Sequence, residues 1–145
     1  IIRMLKNKKS ILFVCIHNSA RSQMAEAFLN SISTKFSANS AGIEPGILNP
    51  LVIESMKNIG IDISKNETKS VESILKNDRI YDYFIFVCSE SQGQNCPYIP
   101  YETKKIYWNI EDPSILKGSD EEKLEKISII RDKIKEKILD FISNN

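Results

Sequence analysis

Apolar residues gather in short unbroken runs in the first three quarters of the chain and in a spaced stripe at its end. Residues 10–16 (SILFVCI) and 82–88 (DYFIFVC) are rich in β-branched and aromatic side chains and show no helical spacing. They read as strands buried on both faces. Residues 35–41 read as a further strand, closed by Gly42, and 105–109 (KIYWN) as a shorter one. From Ser22 the pattern changes. Met24, Ala25, Ala27, Phe28 and Ile32 fall near helical spacing. Residues 50–59 (PLVIESMKNI) predict a second helix, with Pro50 in its first turn and Gly60 at its C-cap. A short helix is expected over 71–76. The last helix opens on Ser119-x-x-Glu122, a capping box. Its apolar stripe is Leu124, Ile127, Ile130, Ile134, Ile138 and Phe141, spaced by three and four.

Strands that alternate with helices predict an α/β fold, a four-stranded parallel sheet flanked by helices on both faces. Ligands of such sheets bind beyond the carboxyl ends of the strands. Cys15 and Cys88 each end a predicted strand, so this topology brings two distant thiols to one edge. Polar residues 89–95, with Gly93, read as loop or weak helix.

The 145 residues suit one domain, set here at 10–145 after an N-terminal extension of 1–9. A hydrophobic fraction of 41% supports a real core. Twenty basic residues against nineteen acidic leave a net charge of +1 and no global support for nucleic-acid binding. No run is long enough to span a bilayer, and the first residues lack a signal peptide's apolar core and cleavage site. A cytoplasmic, monomeric protein without a tightly bound cofactor is the expectation. Three cysteines cannot form a closed set of disulfides. Free thiols, metal ligands or catalytic groups remain.

The stretch Cys15-Ile16-His17-Asn18-Ser19-Ala20-Arg21 joins a strand end to a helix start. Successive N–H groups in such a loop can form an anion nest, and the helix N-terminus adds positive potential. Arg21 can hold two oxygens of a tetrahedral anion. The same field favours a thiolate over a thiol. Asn18 is the residue best able to take a left-handed conformation in this glycine-free loop. Ser22 can hydrogen-bond the sulfur or cap the helix. His17, the only histidine, is read as shaping the loop.

Together, C-x5-R-S at Cys15, the Ser40-Ala41-Gly42 turn and the late Asp112-Pro113 resemble the low-molecular-weight protein tyrosine phosphatase fold. Within it, RSQMAE at 21–26 and VCSESQGQNCP at 87–97 resemble the thioredoxin-coupled arsenate reductases. The likeness runs from about Ile11 to the last helix. It implies arsenate as substrate, thioredoxin as partner, and a relay of three thiols. Cys15 attacks arsenic, Cys88 attacks the Cys15 sulfur as arsenite leaves, and Cys96 then attacks Cys88. Thioredoxin reduces the final disulfide. Asp112 takes the position of the phosphatase general acid. The resemblance also implies a potassium ion at Asn18, Glu26, Ser40 and Thr68, although Ser70 stands where a carboxylate is expected.

Cys88 and Cys96 are eight positions apart, about 12 Å along an ideal helix, whereas a disulfide needs α-carbons about 4.4–6.8 Å apart. If the intervening segment is helical when reduced, it must unwind or loop out on oxidation. Two other readings stand beside the reductase. A phosphomonoester phosphatase needs only Cys15, Arg21 and Asp112. Against an aryl substrate, Gln23 replaces the proline usual after R-S, and Ser114-Ile115 stand where a Tyr-Tyr pair often follows Asp-Pro. A zinc-binding module would use the cysteines with His17, but Cys15-x-His17 and Cys88-x7-Cys96 lack the paired short spacing of zinc sites.

Overall fold

The computed structural model describes residues 8–76, 80–88 and 99–145. Cys96 and the segment 89–95 lie outside the described residues, as does most of the N-terminal extension. Four strands form one sheet, β1 (Lys9–Cys15), β2 (Phe36–Gly42), β3 (Tyr83–Cys88) and β4 (Lys104–Asn109). Their order is β2-β1-β3-β4 and every pairing is parallel. The described helices are α1 (Arg21–Ile32), α2 (Pro50–Lys57), α3 (Val71–Leu75) and α4 (Asp120–Asn144), with a 3-10 turn at Pro113–Ile115.

The period of two along the strands sorts side chains onto two faces. Ile11 and Phe13 of β1, with Tyr83, Ile85 and Val87 of β3, enter the larger core. That core is closed by Met24, Ala25, Phe28 and Leu29 of α1, Val52 and Met56 of α2, and the stripe of α4. Leu12, Val14, Phe84 and Phe86 enter a smaller core on the opposite face, under Val71 of α3. Burial of each large side chain contributes about 1.5–3 kcal/mol, so these faces fix the register.

Helix α4 starts where the capping box predicts, with Ser119 as its N-cap. Ile127, Ile130, Ile134, Ile138 and Phe141 are buried, and Leu124 is half-buried. Both halves of the Ser119–Glu122 capping box are formed. The second helix is shorter than expected, because its last turn tightens. Gly60 takes a φ of 86°, its N–H donates to the Lys57 carbonyl at 2.9 Å, and Ile61 N–H donates to Met56 at 3.0 Å. That pair of bonds is a Schellman ending, which needs a left-handed residue at Gly60.

Strand β1 has β2 on one side and β3 on the other, so the chain's route reverses beside Cys15. The carboxyl ends of β1 and β3 border the crevice at this switch point. Cys15 is registered against Gly42 at the end of β2.

Candidate active site

The loop from Cys15 to Arg21 is built by turning its carbonyls outward. Ile43, Glu44, Gly46 and Asn49 donate N–H bonds to the carbonyls of Cys15, Ile16, His17 and Ser19, at 2.8–3.2 Å. Met24 N–H takes the Ala20 carbonyl at 3.0 Å. The Asn18 carbonyl accepts from Gln23 Nε2 at 3.1 Å. The carbonyls of residues 15–20 are thereby all committed to donors outside the loop.

Asn18 makes the bend, with a φ of 53°, the one positive φ among described non-glycine residues. It is fully buried. Its N–H donates to Cys15 Sγ at 3.1 Å, and its Nδ2 donates to Ser22 Oγ at 2.8 Å. Ser22 Oγ in turn lies 2.8 Å from Cys15 Sγ. The thiol, 4% exposed, therefore rests among a backbone donor, a hydroxyl and the start of α1. Helix α1 begins without a side-chain cap and without an acidic residue in its first turn. Its terminal N–H groups are thus not claimed by a capping side chain and add positive potential.

Arg21 is almost wholly enclosed and reaches the end of β4. Its Nη1 donates to the Ile110 carbonyl at 3.0 Å, and its Nη2 lies 3.7 Å from Asp112 Oδ2. Asp112 Oδ1 accepts from Ser114 N–H at 2.9 Å and starts the 3-10 turn at Pro113. So Asp112 is both a turn aspartate and a neighbour of the loop arginine.

Gly42 explains why the turn after β2 ends in glycine. A Cβ there would lie 2.8 Å from Asn18 N, His17 C and Ile16 O, all backbone atoms. Gly42 N–H also donates to the Lys69 carbonyl at 2.7 Å. A second segment, 66–70, thereby lies along the loop. Lys69 N–H donates to Asn18 Oδ1 at 3.0 Å. His17 is exposed, with Nδ1 2.9 Å from the Glu44 carbonyl, away from the sulfur's partners.

Cys88 ends β3 beside this crevice, but not on the face that Cys15 shares. Alternation along β1 puts Cys15 with Ile11 and Phe13. Cys88 falls with Phe84 and Phe86 and packs against the smaller core. The two thiols share one edge of the sheet, as the topology predicts, and leave it toward opposite faces.

The oxygens named for potassium each have a protein partner. Asn18 Oδ1 already accepts from Gln23 Nε2 and from Lys69 N–H, which fills its two lone pairs. Thr68 Oγ1 donates to the Gly46 carbonyl at 2.7 Å, and Ser40 Oγ donates to Glu26 at 2.8 Å. Burial pushes the Glu26 carboxyl above its usual range, opposed by the Ser40 hydrogen bond and the positive charge of Lys69. Among the described residues no group of three His, Cys, Asp or Glu side chains gathers for a metal.

Gln23 escaped the sequence reading as a site residue. In the sequence it stands only as a departure from proline, and its residue type gives no sign that it is buried beside the loop.

No helix among the described residues is long and apolar enough to cross a membrane. The pattern of the low molecular weight phosphotyrosine protein phosphatases matches residues 10–144. An arsenate reductase of Staphylococcus aureus (strain Newman) is 38% identical over 138 residues, 94% of this chain and 98% of that protein. A solved arsenate reductase in its phosphate binding state superposes with a TM-score of 0.75 at 33% identity, covering 94% of this chain and 98% of the other. A thioredoxin-dependent arsenate reductase of Corynebacterium glutamicum does so with a TM-score of 0.61 at 26% identity, over 94% of this chain and 65% of that one. With an all-parallel sheet, an outward-turned loop over a buried thiol and this extent of similarity, the chain belongs to the low molecular weight phosphotyrosine protein phosphatase family, among its arsenate reductases.

Proposed function

We propose that this protein reduces arsenate to arsenite with thiols as the electron source and thioredoxin as the final reductant. The observation that carries the reading is a buried thiol beneath a loop whose carbonyls are bonded outward, with a second thiol at the end of the neighbouring strand. The full-length similarity to arsenate reductases supports the choice of anion.

In this account the inward N–H groups of Ile16 to Ser22 and the charge of Arg21 hold the tetrahedral anion over Cys15. The Cys15 thiolate attacks arsenic, and an arsenate oxygen leaves as water, with Asp112 as the proton source. Cys88 then attacks the Cys15 sulfur. The electron pair of the sulfur–arsenic bond passes to arsenic, As(V) becomes As(III), and arsenite departs. A Cys15–Cys88 disulfide is left. Cys96 attacks Cys88, Cys15 leaves as thiolate, and the Cys88–Cys96 disulfide goes to thioredoxin. Two thiols lose two electrons and arsenic gains two, so each turn balances. The exchanges are governed by access and thiolate fraction. Because Cys88 packs on the other face of the sheet, the chain at the end of β3 must turn before it meets Cys15.

Arsenate-dependent NADPH oxidation with thioredoxin and thioredoxin reductase tests the proposal. The wild type should turn over, and Cys15→Ser should not. Hydrolysis of an aryl phosphate without reductant, unchanged in a Cys88→Ser/Cys96→Ser variant and with no arsenate turnover in the wild type, would make it a phosphatase instead.

A further inference from the structure

Asn18 is the bend of the loop, and among the described residues its carbonyl is met by a side chain, whereas backbone N–H groups meet those of its neighbours. We propose that Gln23 is a positioning residue for Cys15, its buried amide holding Asn18 so that the loop N–H groups stay turned toward the anion. The inference rests on reading the loop as an oxyanion cradle.

Gln23 is fully buried and both ends of its amide are hydrogen-bonded. Nε2 lies 3.1 Å from three oxygens, the Asn18 carbonyl, Asn18 Oδ1 and the Glu67 carbonyl. Oε1 accepts from Asn66 Nδ2 at 3.1 Å. One side chain on the first turn of α1 thus ties the nucleophile loop to segment 66–69. A left-handed asparagine costs conformational energy and persists only where its surroundings hold it. Rotation of the peptide after Asn18 would swing its carbonyl inward, toward the negative ligand, and carry the Ser19 N–H of the same peptide outward. A buried acceptor without its donor is costly, so the amide matters more than its volume. An apolar side chain of the same size fills the space and supplies none of this.

The test uses the reduced full chain and inorganic phosphate. Phosphate affinity is read as protection of Cys15 from iodoacetamide, quantified on the Cys15 peptide. Gln23→Met should need about tenfold more phosphate for half-protection, the loss of about one hydrogen bond's worth of orientation. Arsenate KM should rise by a similar factor. Asn66→Ala, at a half-buried position, removes only the bond that orients Gln23 and should cost about threefold, with a thermal midpoint near wild type. Wild-type phosphate affinity in both variants would overturn the positioning role while leaving the cradle intact. If Gln23→Met does not fold, unchanged affinity in Asn66→Ala alone overturns it. Absence of phosphate protection in the wild type would remove the cradle itself, and Gln23's role with it.

Discussion

The Arg21 guanidinium lies 3.7 Å from the Asp112 carboxylate, and the two side chains are 4% and 12% exposed. Before any anion arrives, the loop's cation already has a counter-charge, and the candidate acid already has a neighbour. One contact therefore links the two ends of the site, the start of α1 and the turn after β4.

Asp112→Asn separates the two roles. The amide keeps an oxygen for Ser114 N–H, so the turn survives. The carboxyl, counter-charge to Arg21 when ionised and proton source in the proposed step when protonated, is lost. Turnover of arsenate should fall about 10²-fold or more, the usual contribution of a general acid. Phosphate affinity should hold or tighten, because Arg21 no longer divides its charge. Steady-state kinetics beside phosphate protection checks the split. Equal losses in both would make Asp112 structural.

Gly42→Ala should disable the site from outside it. Its Cβ would meet three backbone atoms of the loop at 2.8 Å, and none can move without shifting Asn18 or His17. Phosphate affinity and arsenate turnover should both fall by at least tenfold, since misplacement of a site by about 1 Å costs about 10²-fold. The assay is the same protection measurement, with circular dichroism to confirm the fold.

Glu26 supplies a pH dependence whose sign can be worked out. Its folded-state pKa is raised, chiefly by burial, so the unfolded chain releases this proton first. Its contribution to stability is fully present below its ordinary value of 4.5 and is lost as pH rises through the raised folded value. Glu26→Gln keeps an acceptor for Ser40 and carries no charge. The variant should match wild type near pH 4 and become the more stable of the two toward pH 7. Thermal midpoints across that range check it; a variant that loses relative stability with rising pH would contradict it.

Potassium should be dispensable. Asn18 Oδ1 is filled by protein donors, and Lys69 brings a positive charge to Glu26. Exchange of potassium for choline at constant ionic strength should leave kcat and KM for arsenate unchanged within twofold. A loss restored by potassium alone would show that the oxygens rearrange around the ion.

The fold was legible where burial writes a pattern. Strand β3, bounded by Tyr83 and Cys88, and the stripe of α4 stand within a residue or two of their expected places because a two-sided core leaves unbroken apolar runs. Cys15 and Arg21 were legible because their types at that spacing, between a strand and a helix, serve one chemistry. The segments 43–49 and 66–70 were not. The first holds the loop through backbone N–H groups and the second mainly through backbone atoms of Glu67 and Lys69, which any residue supplies, with the Asn66 amide as the one side chain. Gln23 lay hidden for a related reason. At a helix start an amide reads as solvated until the carbonyl beside it is seen to need a donor. The opposite faces of Cys15 and Cys88 were not readable, because parity along two strands can be compared only through their register, which the assembled sheet sets by pairing Phe13 with Ile85.

The most direct measurement mixes fully reduced protein with excess arsenate and no thioredoxin, then counts arsenite formed and thiols lost. One arsenite should form and two thiols be lost per chain, with a disulfide between Cys88 and Cys96, and a Cys15–Cys88 disulfide when Cys96 is serine. Arsenite at zero with all three thiols intact, or full arsenite yield in a Cys15→Ser variant, would contradict it.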